Sequence, residues 1–138
     1  MGENLLSAVE TPVARVLIVD DDEVVRTLIS ALLETMGHEA ITVQNGVDAL
    51  QSYQHDAVDL VITDIYMPDM DGLELIRKIN ASKPAPPIIA MSGSASERRM
   101  DALPTAGHFG AAAVLYKPVD LGAMEAAIDR LLTGPATS

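Results

Sequence analysis

Five short apolar runs alternate along this chain with stretches of helical spacing, and that alternation limits what it can become. Val16-Leu17-Ile18-Val19 is rich in β-branched residues and stops at Asp20-Asp21-Asp22. Asp59-Leu60-Val61-Ile62-Thr63 stops at Asp64, Ile88-Ile89-Ala90-Met91 at Ser92, and Ala112-Ala113-Val114-Leu115-Tyr116 at Lys117. Ala40-Ile41-Thr42-Val43 supplies the remaining run. Short runs that are apolar on both sides of the pleat read as strands buried on both faces, as in parallel sheets.

Between them, Val24, Val25, Leu28, Ile29, Leu32, Leu33 and Met36 recur at helical spacing, with Asp21 or Asp22 able to cap the start and Gly37 at the end. Asn45-Gly46 turns into a short helix from Val47 to Tyr53. Met67-Pro68-Asp69-Met70-Asp71-Gly72 is rich in turn formers. It leads to a helix carrying Leu73, Leu75, Ile76 and Ile79, which Lys83-Pro84-Ala85-Pro86-Pro87 ends. Ser92 to Gly110 is the least regular stretch, where Pro104 and Gly107 restrict a fourth helix to about Glu97–Leu103. The last helix carries Leu121, Met124, Ile128, Leu131 and Leu132.

This order predicts an α/β, flavodoxin-like doubly wound fold: a five-stranded parallel sheet in the order 2-1-3-4-5, with helices on both faces. The domain is expected over residues 14–133, with flexible tails at 1–13 and 134–138. In such a sheet the binding crevice lies outside the carboxyl ends of the strands, beside strands one and three.

Composition removes whole classes of function. At 138 residues the chain has room for one domain. Without cysteine it has no disulfide, thiolate zinc site or cysteine nucleophile. Twenty Asp and Glu against 9 Lys and Arg give a net charge of −11, a field opposed to phosphate backbones, so direct nucleic-acid binding is not expected. No apolar run reaches membrane-span length and the start lacks a basic secretory n-region, so a cytoplasmic location without membrane insertion is expected. A piece of a longer hybrid kinase stays open beside a complete product, which the N-terminal methionine and ragged tail slightly favour. His38, His55 and His108 read as surface or satisfied histidines, the methionines as core filler, and Arg98-Arg99 as too small a basic patch to matter.

The polar residues at the strand ends are the informative ones. Asp20, Asp21, Asp64, Ser92 and Lys117 come from distant parts of the sequence, yet this topology gathers them over one crevice. Carboxylates about 4 Å apart repel by about 4 kcal/mol at an effective dielectric near 20, so they hold protons or bind a cation. Mg²⁺ suits oxygen ligands plus a substrate phosphate. Lys117 is a point charge for a phosphate oxygen and Ser92 a hydroxyl donor. The set suits phosphoryl transfer, with a carboxylate as candidate nucleophile.

At these residues the sequence resembles the receiver domain of two-component response regulators, of the stand-alone, chemotaxis-Y-like type. Val16 to Asp22, Asp59 to Gly72, Met91-Ser92-Gly93 and Tyr116-Lys117-Pro118 carry the likeness, which spans about Arg15 to Leu132. It implies that Asp64 accepts the phosphoryl group. Asp21 and Asp64 would ligate Mg²⁺, with Asp20 acting largely through water and Tyr66 offering its backbone carbonyl. Ser92 and Lys117 would hold the phosphoryl oxygens, and the small Gly93 would leave the phosphate room. The implied donor is a phosphohistidine on a sensor histidine kinase or a phosphotransfer protein. Output would pass to a downstream protein of unknown identity, from a monomer or weak dimer that is a switch rather than an enzyme and carries no output domain.

The sequence also departs from the family. Three residues before the lysine, where an aromatic ring often turns inward, stands Val114. Tyr66 and Ser94 occupy positions that tune dephosphorylation in the family. The interrupted helix near Pro104 puts in question the family's dimer face, formed by the fourth helix, the fifth strand and the last helix. Two alternatives stay open: an aspartyl-nucleophile phosphatase of the haloacid-dehalogenase type, and a receiver-like module that binds partners without phosphorylation. The phosphatase would need a second acid where Tyr66 stands.

Overall fold

A computed structural model describes residues 13–67, 72–93 and 110–133. Both expected tails (all but Val13 of the first), the possible helix over 97–103 and Ser94 lie outside the described residues, as do Met70 and His108. The strands are β1 (Arg15–Val19), β2 (Glu39–Val43), β3 (Leu60–Asp64), β4 (Ile88–Ser92) and β5 (Ala113–Tyr116). The described helices are α1 (Glu23–Thr35), α2 (Gly46–His55), α3 (Gly72–Asn80) and α4 (Leu121–Thr133).

All pairings are parallel and the sheet order is β2-β1-β3-β4-β5, as the alternation predicts. Side chains of a strand point alternately to opposite faces, and the apolar runs fill both. Leu17, Val19, Val61, Ile88 and Ala90 meet Ala49 of α2 and Leu75, Ile76 and Ile79 of α3. Val16, Ile18, Leu60, Ile62, Ile89 and Met91 meet Ile29 and Leu33 of α1 and Met124, Ala127 and Ile128 of α4. Every residue of β3 and β4 is buried, whereas the edge strands β2 and β5 are only partly covered. Burying a Leu or Ile side chain contributes about 1.5–3 kcal/mol, so the three central strands anchor the fold.

Local chemistry sets the element ends. Asp22 rather than Asp21 caps α1, its side chain accepting the Val24 N–H at 2.9 Å. Gly37, at φ 87°, takes the left-handed position past that helix. Asn45 caps α2 through the Asp48 N–H at 2.7 Å, and the helix runs on to His55, two residues past the expected end. Asp59 stays outside β3 because its carboxylate accepts the Arg15 N–H at 2.8 Å. Of the methionines, Met91 and Met124 are core and Met67 packs on it. His38 accepts the Ala14 N–H and His55 meets the Gln51 carbonyl, so both are satisfied. No described helix is long and apolar enough to cross a membrane.

Candidate functional site

The carboxyl ends of β1, β3, β4 and β5 bring together the residues that the sequence picks out. Asp20 follows β1 directly, Asp64 closes β3, Ser92 closes β4 and Lys117 follows β5. The register explains the convergence, since Asp64 pairs with Met91 and Ser92 with Tyr116 across neighbouring strands. Main-chain bonds extend the ladder past the strand ends, from Ile65 N to Met91 O at 2.9 Å and from Lys117 N to Ser92 O at 2.7 Å. The site therefore stands on the most deeply buried part of the sheet.

Asp20, Asp21 and Asp64 each bring one carboxylate oxygen within 4.8 Å of the others. Their environments differ. Asp20 is fully buried: Oδ1 accepts the Asp22 N–H at 2.8 Å and Oδ2 lies 2.8 Å from Lys117 Nζ. Asp21 is exposed to solvent. Asp64 is buried, and its Oδ2 lies 3.4 Å from Lys117 Nζ. Burial pushes the Asp64 carboxyl up to about 6; Lys117 opposes that rise, the nearby Asp20 charge adds to it, and the Tyr66 N–H bond opposes it again. Burial lowers the Lys117 ammonium, but its bond to Asp20 and the Asp64 charge outweigh that, and its pKa is raised. At neutral pH the lysine stays charged and partly neutralises two acids.

Ser92 is fully buried and its Oγ has no hydrogen-bond partner among the described residues. Such a group costs about 1–3 kcal/mol, so this hydroxyl is an unused donor beside the acids. Gly93 is half-buried and lines, with Lys117 and the apolar Val25 and Leu28 of α1, a groove of about 490 Å³. Tyr66 is 40% exposed at the rim. Val114 lies opposite Ala90 and packs on the core, so no ring occupies that position.

Two features went unread in the sequence. Lys117 lies closer to Asp20 than to Asp64. Arg26, one turn into α1, donates from Nη1 to the Asp20 carbonyl at 2.8 Å. Its place four residues after Asp22 was the available signal, because helical side chains lean back toward the N-terminus. Gly72 is also fixed by the site: its N–H donates to the Ile65 carbonyl at 2.8 Å, and a Cβ there would collide with the Asp64 carbonyl oxygen.

A doubly wound parallel sheet with acids, a hydroxyl and a lysine at the carboxyl ends of its strands defines the class of flavodoxin-like α/β domains. The model of the response regulator receiver domain matches residues 16–129, and the chain belongs to that family. Among curated relatives it is 35% identical over 126 residues to the transcriptional regulatory protein GlrR of Escherichia coli, covering 90% of this chain and 28% of GlrR. It is 38% identical over 86 residues to the autoinducer 1 sensor kinase/phosphatase LuxN of Vibrio harveyi, covering 62% of this chain and 10% of LuxN. The chain thus spans well under a third of these relatives. Among solved structures, the chemotaxis response regulator CheY4 of Vibrio cholerae superposes with a TM-score of 0.77 at 28% identity, over 88% of this chain and 100% of that one. A receiver protein from Pseudomonas putida gives 0.78 at 31% identity, over 86% and 98%. Of the readings that the sequence left open, the family match favours a receiver domain over a phosphatase of the haloacid-dehalogenase type.

Proposed function

We propose that this domain is a phosphorylation-dependent signalling switch in which Asp64 accepts a phosphoryl group. The observation that carries this reading is the convergence of Asp20, Asp21, Asp64 and Lys117 at strand ends next to a buried Ser92 hydroxyl that has no partner among the described residues. The donor set fits Mg²⁺: three carboxylates in reach of one another, one of them exposed and open to a hydrated ion. Asp20, Asp21, Asp64 and the Tyr66 carbonyl would hold it, Asp20 largely through water, and when bound the ion supplies charge neutralisation for the acids and the phosphoryl oxygens.

The chain's own residues supply the rest. Asp64 is ionised above a pKa of about 6, so near neutral pH its carboxylate oxygen attacks phosphorus. The phosphorus–nitrogen bond of a phosphohistidine breaks and the imidazole leaves with the bonding pair. Lys117 turns its charge to one phosphoryl oxygen, Ser92 Oγ donates to another, and Gly93 leaves room for them. Tyr66, and Ser94 beside Gly93, then govern how easily water reaches the acyl phosphate. Because Val114 replaces the usual ring, the response passes through the Ser92 and Lys117 loops rather than an aromatic rotamer.

The donor we propose is a sensor histidine kinase or a phosphotransfer protein in the cytoplasm, and the output is binding to another protein. Residues 14–133 form the working unit. The test is radiolabelling with acetyl phosphate and Mg²⁺: wild type takes label and Asp64→Asn does not, while undiminished labelling of Asp64→Asn sinks the assignment.

A further inference from the structure

Asp21 is the exposed member of the acidic cluster, so something other than burial must direct its carboxylate. Asp20 needs no such help, since it is fully buried, its Oδ1 accepts the Asp22 N–H and its Oδ2 is ion-paired with Lys117. What sets Asp21 is the orientation of the peptide that joins it to Asp20. The oxygen of that peptide is the carbonyl that accepts from Arg26 Nη1 at 2.8 Å. The half-buried Arg26 is itself fixed by the first turn of α1, where its own N–H donates to the Asp22 carbonyl at 3.1 Å. Asp22 caps the same helix. One turn of helix thus holds the peptide plane from which Asp21 projects.

We propose that Arg26 is a positioning residue for the cation site: it orients the Asp20–Asp21 peptide so that Asp21 faces Asp64 before any ion arrives. This rests on the reading of the acidic cluster as a Mg²⁺ site. Groups that orient metal ligands typically contribute a factor of about 10–100 in metal affinity. The sign separates positioning from simple charge. Arg26 is a cation beside a cation site, and by Coulomb's law alone its removal strengthens Mg²⁺ binding. Positioning requires the reverse.

The experiment uses the full chain with Arg26→Met, which keeps the apolar stem and removes the donor, and Arg26→Lys, which restores a donor of similar reach. Mg²⁺ affinity is measured by calorimetry, and the Mg²⁺ dependence of labelling by acetyl phosphate is followed in parallel. Arg26→Met should need about tenfold more Mg²⁺ for half-saturation, with labelling at saturating Mg²⁺ and metal-free melting close to wild type. Arg26→Lys should recover most of the loss, and the Asp21 amide resonance should move in the Met form and return in the Lys form. Unchanged or tighter Mg²⁺ binding by Arg26→Met overturns the proposal, as does equal weakening in both variants. A wild-type chain that neither binds Mg²⁺ nor takes label sinks the underlying site reading instead, so the two failures are distinct.

Discussion

The two flanks of the crevice are built differently. On the β1 side, Asp20 Oδ1 accepts the Asp22 N–H, Oδ2 lies in an ion pair with Lys117 though without a hydrogen bond of good geometry, and the carbonyl accepts from Arg26. On the β4 side, Ser92 is just as deeply buried but its hydroxyl bonds to nothing among the described residues. One flank has its geometry fixed in advance, and the other keeps a donor unspent. A switch needs both, since a preorganised site lowers the cost of binding, while a response requires a group whose interactions differ between the two states.

Predictions that test this contrast run from loss of function to a near-neutral change. Asp64→Asn should abolish labelling by acetyl phosphate outright while leaving the sheet folded by circular dichroism. Asp20→Ala removes the acceptor of the Asp22 N–H and the closer partner of Lys117. It should weaken Mg²⁺ binding by a factor of about 10–100 in calorimetry; unchanged Mg²⁺ affinity would break the picture of a fixed flank.

The pH dependence tests the acceptor. The folded pKa of Asp64, about 6, exceeds its ordinary 3.8. Its carboxyl therefore favours the metal-free fold at acid pH, and that contribution is lost as pH rises through about 6. Mg²⁺ competes with the same proton, so the rise in melting temperature produced by Mg²⁺ should shrink below about pH 6. The comparison is thermal melting of wild type against Asp64→Asn, which should show a flatter metal-free profile. Least of all, Ser92→Ala removes a hydroxyl with no bond to lose. Metal-free stability should be unchanged or rise by up to about 1 kcal/mol, while labelling slows; a clear loss of stability would mean that the hydroxyl has a partner.

The fold was readable because its central strands are buried on both faces, which leaves only apolar residues in Val16–Val19, Ile88–Ala90 and most of β3. The site residues were readable because a parallel sheet brings every strand's carboxyl end to one side, so Asp20, Asp64, Ser92 and Lys117 had to meet. Strand ends were harder throughout: β5 starts at Ala113 rather than Ala112, β2 at Glu39 rather than Ala40 and β1 at Arg15 rather than Val16. Likewise β3 runs from Leu60 to Asp64 rather than Asp59 to Thr63 and β4 reaches Ser92 rather than Met91, because the polar residues at most of these ends carry no apolar signal. Two things lay beyond the sequence for a different reason. The preference of Lys117 for Asp20 over Asp64 is a difference of 0.6 Å between contacts of 2.8 and 3.4 Å. The idle Ser92 hydroxyl depends on what its neighbours leave unoffered. Spacing and composition carry no information at that scale.

The seat of Gly72 has a mechanical consequence. With no space for even a methyl group between the first residue of α3 and the peptide of Asp64, any side chain at position 72 would push that peptide aside, so the bare backbone of a glycine is what keeps the end of β3 seated against the helix.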